Sequence, residues 1–222
     1  MPGFYKDSEN VYHAAALDEF PWLAHGFGTR LSPNLGTGAA LVTLHQIHSD
    51  IVIEPEGRVG RIGDGDALIS DTPGVFVAVK TADCVPLLMA DPANRAVAAV
   101  HAGWRGTVKK IAQHAVAAMQ RKFSTRVQDL HVAIGPAIGS CCYEVGPEVA
   151  AQFRELDPSL GDITHAAHLD LAGNNRAQLL ALGVHAAHIY MAGLCTKCNQ
   201  EFHSYRRDKQ HAGRMYSLAG IR

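Results

Sequence analysis

The run TPGVFVAVKTADCVPLLMADPANRAVAAVHAGW, residues 72–104, constrains the fold more than any other part of the chain. It is rich in Val and Ala, broken by turn residues, and reads as three consecutive strands. Asp91-Pro92-Ala93-Asn94 is a cluster of strong turn formers, so an antiparallel hairpin is expected there. With those four residues as the loop, Ala90 pairs with Arg95 and Cys84 falls opposite His101. Directly opposed residues hold their Cβ atoms about 4.5–5.5 Å apart, close enough for both side chains to share one ion.

A helix is expected next. Thr107 is the N-cap, and Val108, Ile111, Ala112, Ala115, Val116 and Met119 fall on one face at helical spacing, with His114 solvated. LHVAIGPAIG reads as a strand running into a glycine-bearing loop, and PEVAAQFREL as a short helix. In HLDLAGNNRAQLLALGV, Asp170 caps a second clear helix whose end is marked by Gly183. The strand HIYMAGLC and a polar tail follow. Strands come in blocks separated by single helices, which predicts an α+β fold of layered sheets flanked by helices, with residues 1–222 as one domain.

The chain has 222 residues, 47% hydrophobic, and a formal net charge of −1, enough to bury a sizeable core. With no Lys/Arg block, nucleic acid is not an expected partner, because such binding rests on phosphate neutralisation by a basic face. The apolar runs fall well short of the roughly 20 residues that span a bilayer, and the start, MPGFYKDSENVYH, has no apolar core of a signal peptide. A cytoplasmic protein with no membrane contact and no implied protein partner is the expectation. Five cysteines, at 84, 141, 142, 195 and 198, are then expected to be reduced thiols. Cys195 and Cys198 form a C-x-x-C with no second C-x-x-C to complete an all-cysteine zinc site. They read as a structural or incidental pair. Cys141 and Cys142 point to opposite sides if extended, so at most one can face a common site.

Chemistry concentrates on three residues. His48 in LHQIHSDIV, Cys84 in TADC and His101 in AVHAGW supply two imidazoles and a thiolate, a tridentate set whose fourth position stays open, as in catalytic zinc sites. His48 arrives on a separate strand or strand end. His45, three residues earlier, would face the other way on a strand. Arg30 in HGFGTR, Arg105 in GWRGT, and Arg206 and Arg207 in FHSYRRD offer planar donor forks suited to phosphate, or else form surface ion pairs. Asp66 in GDGDALIS is a further polar candidate, or part of an ordinary turn.

These motifs, with AIGPAIGSCCYEVG and CTKCNQ, occur in one order from about Gly26 to near the C-terminus, and in that order the chain resembles the YfiH/YlmD family. That family is also called the multicopper polyphenol oxidase (laccase-like) family, and peptidoglycan editing factor. The resemblance implies a catalytic zinc, one per chain, held by His48, Cys84 and His101, with Arg30, Arg105, Arg206, Arg207 and Asp66 as substrate or phosphate contacts. It implies phosphorolysis of adenosine, inosine, guanosine or methylthioadenosine to free base and a ribose 1-phosphate, with adenosine deamination as a second activity. In one respect the chain departs from the family. The segment from Asn34 to His45 is short where family members carry a helical insert, so a shorter wall on that side is expected to bear on substrate choice and not on the metal ligands.

Three rivals remain open at this point. A copper-dependent phenol oxidase would share a His₂Cys set, so copper is an alternative metal, but multicopper oxidation needs paired histidine motifs that the sequence lacks. A peptidoglycan-precursor editing hydrolase would instead cleave a seryl peptide. A non-catalytic zinc-binding module would show a fourth protein ligand.

Overall fold

The computed structural model describes residues 3–32, 35–36, 40–157 and 166–222. Six strands lead the chain: β1 (Phe4–Lys6), β2 (Tyr12–Ala14), β3 (Leu23–Phe27), β4 (Ala40–His45), β5 (Val52–Ile53) and β6 (Gly60–Asp64). Then come β7 (Ala67–Ser70), β8 (Val75–Thr81), β9 (Val85–Asp91) and β10 (Ala96–Ala102), followed by helices α1 (Trp104–Val108) and α2 (Ile111–Phe123). The remainder holds β11 (His131–Ile134), β12 (Glu144–Val145), α3 (Pro147–Ala150), β13 (Ala167–His168), α4 (Leu171–Ala181), β14 (Ile189–Met191), α5 (Tyr205–Asp208) and β15 (Met215–Ile221). Pro33, Asn34, Thr37, Gly38 and Ala39, part of the short segment ahead of His45, lie outside the described residues.

The mixed α+β class with layered sheets is as expected. A seven-stranded sheet, in the order β1-β2-β3-β15-β8-β4-β6, packs on a six-stranded sheet, β14-β11-β9-β10-β7-β5. Helices cover the far side of the six-stranded sheet. That sheet is therefore apolar on both faces, which explains why its strands read as continuous Val/Ala/Leu runs without alternation. Val85, Leu87, Met89, Ala98 and Val100 point to α2, while Leu88, Ala90, Val97 and Ala99 point to Val77, Val79 and Ala219 of the other sheet. No helix among the described residues is long and apolar enough to cross a membrane.

The three consecutive strands expected within residues 72–104 are β8, β9 and β10; β8 belongs to the seven-stranded sheet, and the chain crosses to the other sheet through Ala82-Asp83-Cys84 before β9 begins. Two expectations are corrected. The hairpin register is shifted, because Asp91 stays in the ladder opposite Ala96 and the loop is Pro92–Arg95. The Asp91 carboxylate accepts from the backbone N–H groups of Ala93 and Asn94 at 3.0 and 3.2 Å, so it caps the loop without joining it. Val85 then pairs with Ala102 and His101 with Pro86, which sets Cys84 diagonal to His101.

The second correction concerns the helix after the hairpin. Trp104–Val108 forms a separate short helix, Lys110 sits at φ 61°, and α2 starts only at Ile111. Thr107 is thus interior, not an N-cap; its buried hydroxyl accepts from Asn175 Nδ2 of α4 at 2.9 Å. The expected face of α2 is sound, with Ile111, Ala112, Ala115, Val116 and Met119 all fully buried. Asp170 caps α4 as expected, accepting from Gly173 N–H at 2.8 Å, and Gly183 follows its end at φ 98°.

Candidate active site

His48, Cys84 and His101 converge at one end of the sheet sandwich, their donor atoms all within 4.8 Å of one another. Each arrives differently. His101 is the penultimate residue of β10, Cys84 ends the crossing between the sheets, and His48 stands in a turn beyond β4, in the left-handed region at φ 59°. The strand assignment for LHQIHSDIV therefore stops at His45. Gln46 fixes the exit: its side-chain amide donates to Lys80 O and accepts from Lys80 N–H, both at 2.8 Å, so the chain is pinned to β8 before it turns.

Asp66 organises the set from behind. It is fully buried and its Oδ1 accepts from His101 Nδ1 at 2.8 Å, which leaves the other ring nitrogen, Nε2, for the cleft. The same carboxylate accepts from the backbone N–H groups of Ile47, His48 and Ser49 and from the Ser49 hydroxyl, and so also shapes the His48 turn. Burial disfavours its charge, but the His101 and Ser49 hydrogen bonds win and hold its pKa down to about 2. Asp66 is thus an orienting group beneath the histidine, not a wall of the cleft, which corrects its expected place among substrate contacts.

Burial opposes ionisation of the Cys84 thiol, yet the neighbouring His101 charge and hydrogen bonds from His101 and His48 bring it down to about 6. The reciprocal effect, despite burial, raises His101, with Cys84 the larger cause and Asp66 the next. A thiolate is the form that ligates metal. Gly103 makes room for the set, since a Cβ there would stand 3.0 Å from Cys84 Sγ and 3.0 Å from His48 Cδ2. Two imidazoles, one thiolate and a carboxylate behind the buried histidine suit zinc with an open position.

The three donors face a cleft of about 520 Å³. Arg206 is the one sequence-chosen arginine that lines it; its guanidinium lies 4.9 Å from the Tyr143 ring and donates to Glu144 O at 2.7 Å. The other three do not line it. Arg207 spends its fork on the carbonyls of Thr196, Lys197, Asn199 and Phe202 and on Asp208. Arg30 stands 3.5 Å from Asp208 Oδ2 and from His203 Nδ1, and Arg105 lies over the Trp104 ring at 4.2 Å.

Other lining residues escaped the sequence reading. Arg61, Lys80 and Arg214 add positive charge to the cleft, and Trp104, Tyr143 and Tyr205 add aromatic surface. His45, expected to face away, lines it too, with Nδ1 3.0 Å from Asp64 Oδ1. A period-two reading of β8 would have found Lys80, because Val77 and Val79 are buried and Lys80 must point the other way. Arg61 and Arg214 carry no such signal. Burial, and then the Cys84 charge, push the Tyr143 phenol up to about 12.

The family described as "Multi-copper polyphenol oxidoreductase laccase" matches residues 28–222. A curated relative from Deinococcus radiodurans, named "Purine nucleoside phosphorylase", is 42% identical over 195 residues, covering 86% of this chain and 75% of that protein. Another, from an unknown prokaryotic organism and named "Adenosine deaminase RL5", is 42% identical over 159 residues, covering 68% of this chain and 60% of that protein. Among solved structures, hypothetical protein YfiH of Bacillus licheniformis superposes with a TM-score of 0.89 at 27% identity, over 100% of both chains.

Proposed function

This chain belongs to the multi-copper polyphenol oxidoreductase laccase family, and on that footing we propose that it is a zinc-dependent enzyme that cleaves purine nucleosides with phosphate. The observation that carries the reading is one juxtaposition. A three-donor metal set shares a cleft with four cationic side chains, Arg61, Lys80, Arg206 and Arg214. Phosphate is a dianion that guanidinium forks bind through charge-assisted hydrogen bonds. Trp104, Tyr143 and Tyr205 offer the flat apolar surface that a purine needs.

In phosphorolysis a phosphate oxygen bonds to C1′ while the bond from C1′ to the purine nitrogen breaks. The electron pair leaves with the base, which takes up a proton. The cations bind and orient the phosphate, converting a bimolecular encounter into attack within one complex. Tyr143 remains a protonated hydrogen-bond donor across the working pH range, suited to a purine nitrogen or a ribose hydroxyl. His48, Cys84 and His101 would hold zinc, and when bound the metal supplies Lewis acidity and positive charge beside the reacting groups.

Adenosine deamination is the second reading, favoured by the name of the second relative and by the open position of the donor set. One assay separates the two. Zinc-replete protein is given adenosine or inosine with and without phosphate, and products are resolved by chromatography. Free base released only when phosphate is present is the expected result; inosine formed from adenosine without phosphate identifies the deaminase. No base from either nucleoside at saturating phosphate overturns the phosphorylase reading.

A further inference from the structure

Four of the five cysteines lie outside the cleft, and the structure gathers them. Cys141 and Cys142 stand on the loop after β11, Cys195 and Cys198 on the loop after β14, and all four sulfurs are within 4.8 Å of one another. We propose that Cys141, Cys142, Cys195 and Cys198 form a second, structural zinc site that clasps these two loops together.

The backbone brings the thiols into register. Ala137 N–H donates to Leu194 O at 3.1 Å and Thr196 N–H to Ala137 O at 3.0 Å, a parallel bridge that sets the loops side by side. The adjacent cysteines do not diverge as an extended dipeptide would. Gly139 O accepts from both Cys142 N–H and Tyr143 N–H, so residues 139–143 form a tight turn that carries both sulfurs to one side.

The spacing suits a tetrahedral ion. Thiolates bound at about 2.3 Å stand roughly 3.8 Å apart; here Cys198 Sγ is 3.7 Å from Cys141 Sγ and 3.3 Å from Cys142 Sγ. Backbone N–H groups also converge on one sulfur, with Gly139 N–H donating to Cys195 Sγ at 3.3 Å. The backbone N–H groups of Lys197 and Cys198 also point to this sulfur. N–H groups aimed at sulfur are what a ligating thiolate in a C-x-x-C turn requires. On binding, the thiols release their protons to water and zinc enters as the divalent ion, with no change of oxidation state.

The clasp has a consequence for the cleft. Tyr143 follows Cys142 directly, Arg206 follows the Cys195–Cys198 turn, and Arg206 donates to Glu144 O. Both side chains line the cleft, so the second ion fixes the relative position of an aromatic and a cation there. This part rests on the proposed function; the metal site itself does not.

The test is metal stoichiometry and ligand type in protein purified under reducing conditions with zinc. Elemental analysis should give two zinc ions per chain for the parent. Cys195→Ser/Cys198→Ser and His101→Ala should each retain one, and X-ray absorption at the zinc edge of H101A protein should show four sulfur neighbours. Cobalt(II) in the same H101A protein should give intense sulfur-to-cobalt charge-transfer bands. One zinc per chain in the parent, lost in H101A and kept in the double serine variant, overturns the proposal. So does a mixed nitrogen and sulfur shell in H101A, or a disulfide between Cys142 and Cys198 in reduced, zinc-treated protein. Two zinc ions in both the parent and H101A, with the double serine variant at one, would leave this site standing and sink the cleft assignment.

Discussion

Asp66 Oδ1 accepts a 2.8 Å hydrogen bond from His101 Nδ1, and the same carboxylate accepts the backbone N–H of His48. One buried charge therefore fixes the ring of one candidate ligand and the backbone of another. Asp66→Asn should lower zinc affinity at the cleft by about 10–100-fold, the usual cost of removing a partner behind a ligating histidine. Chelator competition measures this directly, and excess zinc should restore much of the activity. An unchanged affinity would show that His101 needs no orienting carboxylate.

Removal of the ligands themselves should be more severe. Cys84→Ala and His101→Ala should each abolish zinc at the cleft and nearly all turnover while circular dichroism stays native-like, since the surrounding strands are held by packing. Retained zinc and activity in either variant would sink the assignment. His45→Ala should keep its cleft zinc although His45 borders the same cleft, because its ring is engaged by Asp64.

Gly103→Ala tests the space in the site. The added methyl would press on Cys84 Sγ and on the His48 ring, atoms 3.0 Å from its position, without removing any charged group. Loss of cleft zinc is expected, with a melting temperature close to that of the zinc-free parent. Parent-like zinc affinity would mean that the ligands have slack to move aside.

The arginines should divide by what their forks already hold. Arg61→Gln and Arg206→Gln should raise the phosphate KM by about tenfold or more, since a charge-assisted hydrogen bond to a dianion is worth about 1.5–3 kcal/mol. Deamination of adenosine, which uses no phosphate, should be affected less. Arg30→Gln should leave phosphate KM within about twofold, because Arg30 pairs with Asp208 outside the cleft. A larger effect at Arg30 than at Arg61 and Arg206 would relocate the phosphate.

His25 predicts an acid limit to stability. Burial first, then the nearby His13 charge and Arg222, hold its pKa down to about 4, against the opposing pull of Asp18. The unfolded chain binds this proton near pH 6.5 and the folded chain only near 4, so stability is full above about pH 6.5 and falls as pH drops toward 4. The loss should approach about 3 kcal/mol. Urea midpoints from pH 7 to 4 should fall less steeply in His25→Gln than in the parent, and identical slopes would exclude His25 as the cause.

The candidate ligands were legible because two imidazoles and one thiolate make an open tridentate set and the order of their motifs along the chain is distinctive. The geometry was less so. Counting Asp91 into the hairpin loop moved the register, since nothing in the letters says that its side chain caps the turn while its backbone remains in the ladder. The arginines were legible as cations but not by address: Arg207 is satisfied by carbonyls of residues 196–202, which only the folded loop brings near. Cys141 and Cys142 would diverge if extended, but the Gly139 turn, invisible in the letters, carries both sulfurs to one side.

Cys84 sits where the chain passes from one sheet to the other, His48 leaves the seven-stranded sheet, and His101 belongs to the six-stranded sheet. An ion bound by all three would cross-link the two layers, and its binding free energy would be added to the work of separating them. Zinc occupancy at the cleft would then be a thermodynamic variable of the whole sandwich. Its melting temperature should track free zinc concentration, so a calorimeter could titrate the cleft without any chemical assay.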